Sequence, residues 1–188
     1  MAGAAGLGHP VGVLTGNLVR LRPLELDDAD TLWKWNSDPE VMRWFDTGFP
    51  ESLFQFRERF AGREPNSYEN LTLAVDRVAD GRFVGVVRLR DTRHHLGRAE
   101  LDTYLGETDV WGQGLGTETM RLICEYGFAK MRLHAIELSV VAENESARAV
   151  YRKVGFTEDG RLRDGARQDG RWHDLIIMTL LEGELVYG

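Results

Sequence analysis

The chain has 188 residues, 43% hydrophobic and 28% charged, which suits one packed domain and excludes wholesale disorder. Its 30 acidic and 23 basic side chains give a net charge of −7, the wrong sign for a protein whose main work is holding nucleic acid. A single cysteine, Cys124, excludes an internal disulfide framework and a multi-cysteine zinc site, and no apolar run approaches the ~20 residues of a membrane-spanning helix.

Residues 1–16 open with MAGAAGLGHPVG, which has neither a basic start nor a sustained apolar run. They read as a flexible tail rather than a secretion signal, so the expected location is cytoplasmic. A single domain is expected over 17–188. NLVRLRPL (17–24) alternates as a half-buried first strand, and Pro23 suits a sheet edge. Asp27 and Asp28 open a helix carrying Leu32, Trp33 and Trp35 that stops near Ser37-Asp38-Pro39. A short second helix is expected from Pro39, and a third over 50–62, ending in glycine.

From Asn70 the period changes to that of strands. Leu71, Leu73 and Val75 alternate, and Asp80-Gly81 turns the chain into FVGVVRLRD. A loop holding His94, His95 and Gly97 leads to AELDTYLG, then to a glycine-rich turn and a long helix from about 114 to 130. A buried strand (AIELSVV), a helix over 144–154 and two strands (GFTEDGRLRD, HDLIIMTLL) complete the order, with a turn expected over 165–170. The expected class is a mixed α/β domain.

Two segments carry chemistry. In VWGQGLGTE (110–118), three alternating glycines precede a helix whose first N–H groups and positive dipole end form an anion site. Neither the G-x-G-x-x-G fingerprint nor a Gly-Lys-Ser/Thr sequence is present, so a tight turn without a ligand is the competing reading. In NESARAVYRKVGF (144–156), Asn144 and Tyr151 are seven residues apart and share a helix face. Alone, Asn144 reads as a cap and Tyr151 as a packing residue. The five histidines show no metal-ligand spacing with one another or with Cys124, so no metal is expected.

Together the two segments resemble the GNAT superfamily of acyl-CoA-dependent N-acetyltransferases. With the early RLRPL and WNSDPEV, the pattern is similar to the RimJ/RimL-like, ribosomal-protein-alanine acetyltransferase branch over about residues 17–182. The resemblance implies a mostly antiparallel, splayed central sheet flanked by helices, with acetyl-CoA as co-substrate. It implies that Val110, Trp111, Gly112, Gln113, Gly114, Leu115, Gly116 and Thr117 hold the pyrophosphate. By the same resemblance Asn144 holds the pantetheine arm and Tyr151 stands near the thioester sulfur. Trp111 departs from the superfamily's Arg or Gln, which matters little where contacts are main-chain. The family's first helices line the acceptor site, which makes Trp35 and Phe45 candidates there.

An amine attacking a thioester must first be neutral. An α-amine, with a pKa of about 8, needs less help than a lysine-like amine at about 10.4. The oxyanion wants a fixed N–H, expected on the fourth strand near Val110, and the leaving thiolate can take the Tyr151 proton. Glu100 and Asp102 share a strand face with Tyr104; the resemblance implies a carboxylate base on this strand, with Glu100 the first choice and Asp102 a substrate-binding acid. By the resemblance to that branch, the leading acceptor is a protein N-terminal α-amine. The alternatives are a small amine, such as an antibiotic or polyamine, and an acyl-CoA-responsive binding module without chemistry. The resemblance is compatible with a homodimer, and neither nucleic acid nor membrane is expected as a partner.

Overall fold

Alternation along Val19–Pro23 buries Val19 and Leu21 completely and turns Arg20 and Arg22 the other way. This strand, β2, belongs to an eight-stranded sheet in the computed structural model, which describes residues 14–45, 48–168 and 170–187. Leu14–Thr15 form a short β1 paired with β2. The domain thus starts three residues earlier than expected, and the rest of the expected tail, 1–13, lies outside the described residues.

The sheet continues through β3 (Leu71–Arg77), β4 (Phe83–Arg93), β5 (Arg98–Leu105), β6 (Ala135–Val141), β7 (Thr157–Gln168) and β8 (Arg171–Leu181). Their spatial order is β1-β2-β3-β4-β5-β6-β8-β7, and every neighbouring pair is antiparallel except β5 and β6. That parallel ladder is short, with pairs only at Arg98–Ala135, Ala99–Ile136 and Glu100–Glu137. Beyond it β5 stays with β4 as far as Leu105, while β6 stays with β8 as far as Val141. The sheet therefore splits into two arms from Glu100 onward. The expected mixed, splayed architecture is observed.

Four helices pack on this frame among the described residues: α1 (Ala29–Asn36), α2 (Leu53–Ala61), α3 (Leu115–Ala129) and α4 (Glu145–Val154). The main core packs α3, through Leu115, Met120, Ile123 and Cys124, against apolar residues of the strands. Burial pushes the Cys124 thiol pKa upward, so this cysteine packs rather than reacts. A second cluster joins Leu32, Trp35, Met42, Phe56 and Phe60 around α1 and α2.

Three expectations change. Residues 39–44 form hydrogen-bonded turns, not a helix, because the Asp38 carboxylate takes the Glu40 N–H at 2.8 Å and sets a local turn first. α2 starts at Leu53 rather than Pro50, where Ser52 and Gln55 form a capping box. The glycines at 165–170 do not make a long turn. β7 runs through to Gln168 by a register shift between Leu162 and Ala166, with Asp164 at φ 51° and its N–H on Asp174 Oδ1 at 2.9 Å.

Candidate active site

Where the two arms part, the main-chain groups of β5 that faced β6 have no strand to pair with. A cavity of about 370 Å³ fills the opening. Leu101, Asp102 and Thr103 line it from β5, and Ser139 to Val141 from β6, with Asn144 and Tyr151 above. A second cavity of about 930 Å³ lies between the α1–α2 layer and the β3–β5 arm. Phe45, Asp102 and Thr103 line both, so the two spaces meet at that point.

α4 places two expected residues in the smaller cavity. Asn144 is its N-cap, and Oδ1 accepts the Ala147 N–H at 3.2 Å and the Ser146 hydroxyl at 3.0 Å. The capping and cavity-lining roles thus coincide, because capping spends only the amide oxygen. Tyr151 follows two helical turns later. Burial, and then the charge of Asp102, push its phenol up to about 12, so it is protonated throughout the neutral range.

The glycine segment forms the entrance to α3. Gly112 at φ 76° and Gly114 at φ 88° hold left-handed conformations, and no side chain caps the helix. A Cβ on Gly112 would meet no atom within 4 Å, so its outer face is open. The loop is fixed from its side chains: Trp111 Nε1–H donates to the Leu105 carbonyl at 3.0 Å, and Gln113 Nε2 to that of Asp109 at 2.7 Å. Leu115 buries its side chain in the core, and its main chain, with Gly116 and Thr117, forms the first helical turn. Uncapped N–H groups, a positive dipole end and an open glycine face fit a pyrophosphate. Val110 does not fit its expected role. It is wholly buried, and its N–H already donates to the Glu107 carbonyl at 3.3 Å inside a 3₁₀ turn.

β5 also divides the expected acids. Glu100 lies at the closed end of the splay, lines neither cavity and pairs with Arg90 at 2.6 Å. It is therefore not positioned as a base. Asp102, one strand repeat further, lines both cavities and accepts from Arg90 Nε at 2.6 Å and Arg88 Nη2 at 2.8 Å. Burial works to raise its pKa, but these two guanidiniums outweigh burial and hold it below the usual carboxylate range. Phe45 lies where expected, its ring 5.7 Å from that of Tyr104. Trp35 does not: it is 4% exposed in the second core, with Nε1–H on Glu107 Oε1 at 2.9 Å. Its neighbour Trp33 lines the larger cavity instead.

Sequence reading missed Arg88 and Arg90, although strand alternation from Val86 marks both on the Asp102 face. It also passed over the task of Glu118. That carboxylate accepts the N–H groups of Asn17, Leu18 and Val19 at 2.9, 2.6 and 2.7 Å, tying the β1–β2 turn to the start of α3. Among the described residues no three His, Cys, Asp or Glu side chains cluster to hold a metal, and no helix is long and apolar enough to cross a membrane.

Residues 19–157 match the acetyltransferase (GNAT) domain family. The spermidine N(1)-acetyltransferase of Escherichia coli K12 is 29% identical over 165 residues, covering 87% of this chain and 86% of that protein. Bacillus subtilis YdaF, which carries the name of a ribosomal N-acetyltransferase, is 27% identical over 170 residues, 88% of this chain and 92% of its own. The Vibrio cholerae spermidine N-acetyltransferase, solved with CoA and spermine, superposes with a TM-score of 0.80 at 23% identity, covering 89% of this chain and 97% of that one. Splayed sheet, glycine entrance and family match agree: this chain belongs to the GNAT acetyltransferase family and is an N-acetyltransferase.

Proposed function

We propose that the protein transfers an acetyl group from acetyl-CoA directly to the primary amine of a small molecule. The meeting of the two cavities at Phe45, Asp102 and Thr103 carries this reading. One space holds the residues suited to a thioester, and the other, at about 930 Å³, has the size of a small-molecule site. Relatives named for spermidine support a small acceptor over the protein N-terminus that the RimJ/RimL resemblance implies.

In this reading the glycine entrance holds the pyrophosphate, and acetyl-CoA supplies the thioester carbonyl that is attacked. Asp102 stays anionic and draws a cationic amine to the junction. Its lowered pKa makes it a weak base, so the amine proton leaves to water. The C–N bond then forms as the C–S bond breaks. A main-chain N–H on the unpaired edge of β5 stabilises the oxyanion, and the Tyr151 hydroxyl donates its proton to the departing sulfur. The second proton of the attacking nitrogen, released as the amide forms, restores the Tyr151 hydroxyl through water.

Free-thiol release from acetyl-CoA, measured with small amines and with peptides starting in Ala or Ser, tests the reading. Turnover of small amines is expected. Turnover of the peptides alone sinks it and returns the acceptor to a protein N-terminus.

A further inference from the structure

The floor of the larger cavity carries an opposed pair of charges. On β4 and β5, Arg88 and Asp102 are cross-strand partners, with Arg88 Nη2 and Asp102 Oδ2 2.8 Å apart. Arg90 and Arg59, the other arginines lining the cavity among the described residues, are committed elsewhere. Arg90 Nε and Nη2 engage Asp102 and Glu100 while Nη1 engages Asp91. Arg59 grips both Glu51 oxygens, at 3.0 and 2.7 Å. Arg88 spends one Nη2 N–H on Asp102; its Nε and Nη1 have no partner among the described residues, and the second Nη2 N–H completes one two-donor edge with one of them. The opposite wall has an apolar part built by Trp33, Met42, Phe45 and Phe56, with the Glu51–Arg59 pair at its side.

We infer that the acceptor is an amino acid, or an amine bearing a carboxylate on the adjacent carbon, with an apolar side chain. The inference rests on the small-amine reading above. An α-amino acid carries opposite charges on the two sides of one carbon, so its ammonium meets Asp102 while its carboxylate meets the free edge of Arg88. The guanidinium edge is a bidentate donor for a carboxylate. The ammonium end lies at the junction of the cavities, where acetyl transfer takes place, and the side chain lies against the aromatic wall. A polyamine would find Asp102 and Glu51 here, but Glu51 is already paired with Arg59, and a second ammonium near Asp102 meets the like charge of Arg88 and Arg90.

The test measures kcat/KM for Leu, Met, Phe and Trp, each against the amine left when its carboxylate is removed, with spermidine and an Ala-starting peptide alongside. The amino acid is expected to exceed its decarboxylated partner by about tenfold or more, the value of one charge-assisted pair. In Arg88→Met that ratio is expected to fall towards one, and Arg88→Lys to recover part of it. A purely structural role for Arg88 would lower both members of each pair together and leave the ratio unchanged, which overturns the inference. Preference for spermidine or for the decarboxylated amines also overturns it, while leaving the small-amine reading standing. Turnover of the peptide alone removes both.

Discussion

Arg90 Nε lies 2.6 Å from Asp102 Oδ2, and this contact makes Asp102 a fixed charge rather than a proton acceptor. Burial alone would raise the carboxyl pKa, but Arg90 and Arg88 hold it below its ordinary value. The sign follows directly: a depressed carboxyl stabilises the fold above its unfolded pKa of about 3.9 and loses that stabilisation as pH falls through the folded value. Asp102→Asn is expected to raise the amine KM by about tenfold or more, the value of one lost charge contact. The stability cost at neutral pH should stay near 1 kcal/mol or below, because the side chain is 38% exposed and screened by water. Steady-state kinetics and chemical denaturation measure the two effects separately.

Tyr151→Phe addresses the proton given to the leaving sulfur. A turnover loss of about a hundredfold or more is expected, with acetyl-CoA affinity by calorimetry nearly unchanged. Because the phenol pKa is raised to about 12, no alkaline limb in kcat below pH 11 should depend on this residue. For the fold, a raised phenol pKa gives stability that is complete below the unfolded value of about 10 and lost as pH climbs to about 12. Burial also raises the Tyr104 phenol, so ultraviolet titration should show two tyrosines ionising late in the wild type and one in the variant.

The fold was legible because its signals are local. Alternation marked β2 and β3, the Asp80-Gly81 turn marked β4, an apolar run marked β6, a helical stripe marked α3, and the glycines of 112–116 marked its entrance. The site was legible where sequence order alone places a residue, as for Asn144 and Tyr151 on one helix. It failed where a neighbouring strand decides. Glu100 and Asp102 share a face, and only the point at which β5 leaves β6 separates their surroundings. Trp33 and Trp35 are likewise only two residues apart, yet the strand beneath α1 determines which indole is core. Arg88 escaped notice because an arginine on an alternating strand ordinarily reads as solvated.

The assignment of Trp35 to the core has its own test. A Cβ at Gly106 would lie 2.0 Å from the Trp35 indole, with no flexible chain end to give way. Gly106→Ala should therefore destabilise by roughly 2–3 kcal/mol, as overpacking does in a closed core. Gly160→Ala, where an added Cβ meets no atom within 4 Å, should cost much less. Thermal unfolding of the pair settles the matter, and equal melting temperatures would put Trp35 back in a space with room to move.

Gly112→Ala separates backbone strain from ligand space at the entrance of α3. An alanine at φ 76° is expected to cost about 1 kcal/mol of stability, and its methyl projects from the open face of the turn. Gly183→Ala supplies the matching control, since Gly183 has φ 95°, no atom within 4 Å of an added Cβ, and a place beyond the end of β8. Both variants should unfold at similarly lowered temperatures. Only Gly112→Ala should weaken acetyl-CoA binding, by about tenfold or more, because the methyl occupies space next to the uncapped N–H groups that suit a pyrophosphate. Equal acetyl-CoA affinity in the two variants would mean that the ligand does not approach this turn, and the three glycines would then serve only to join β5 to α3.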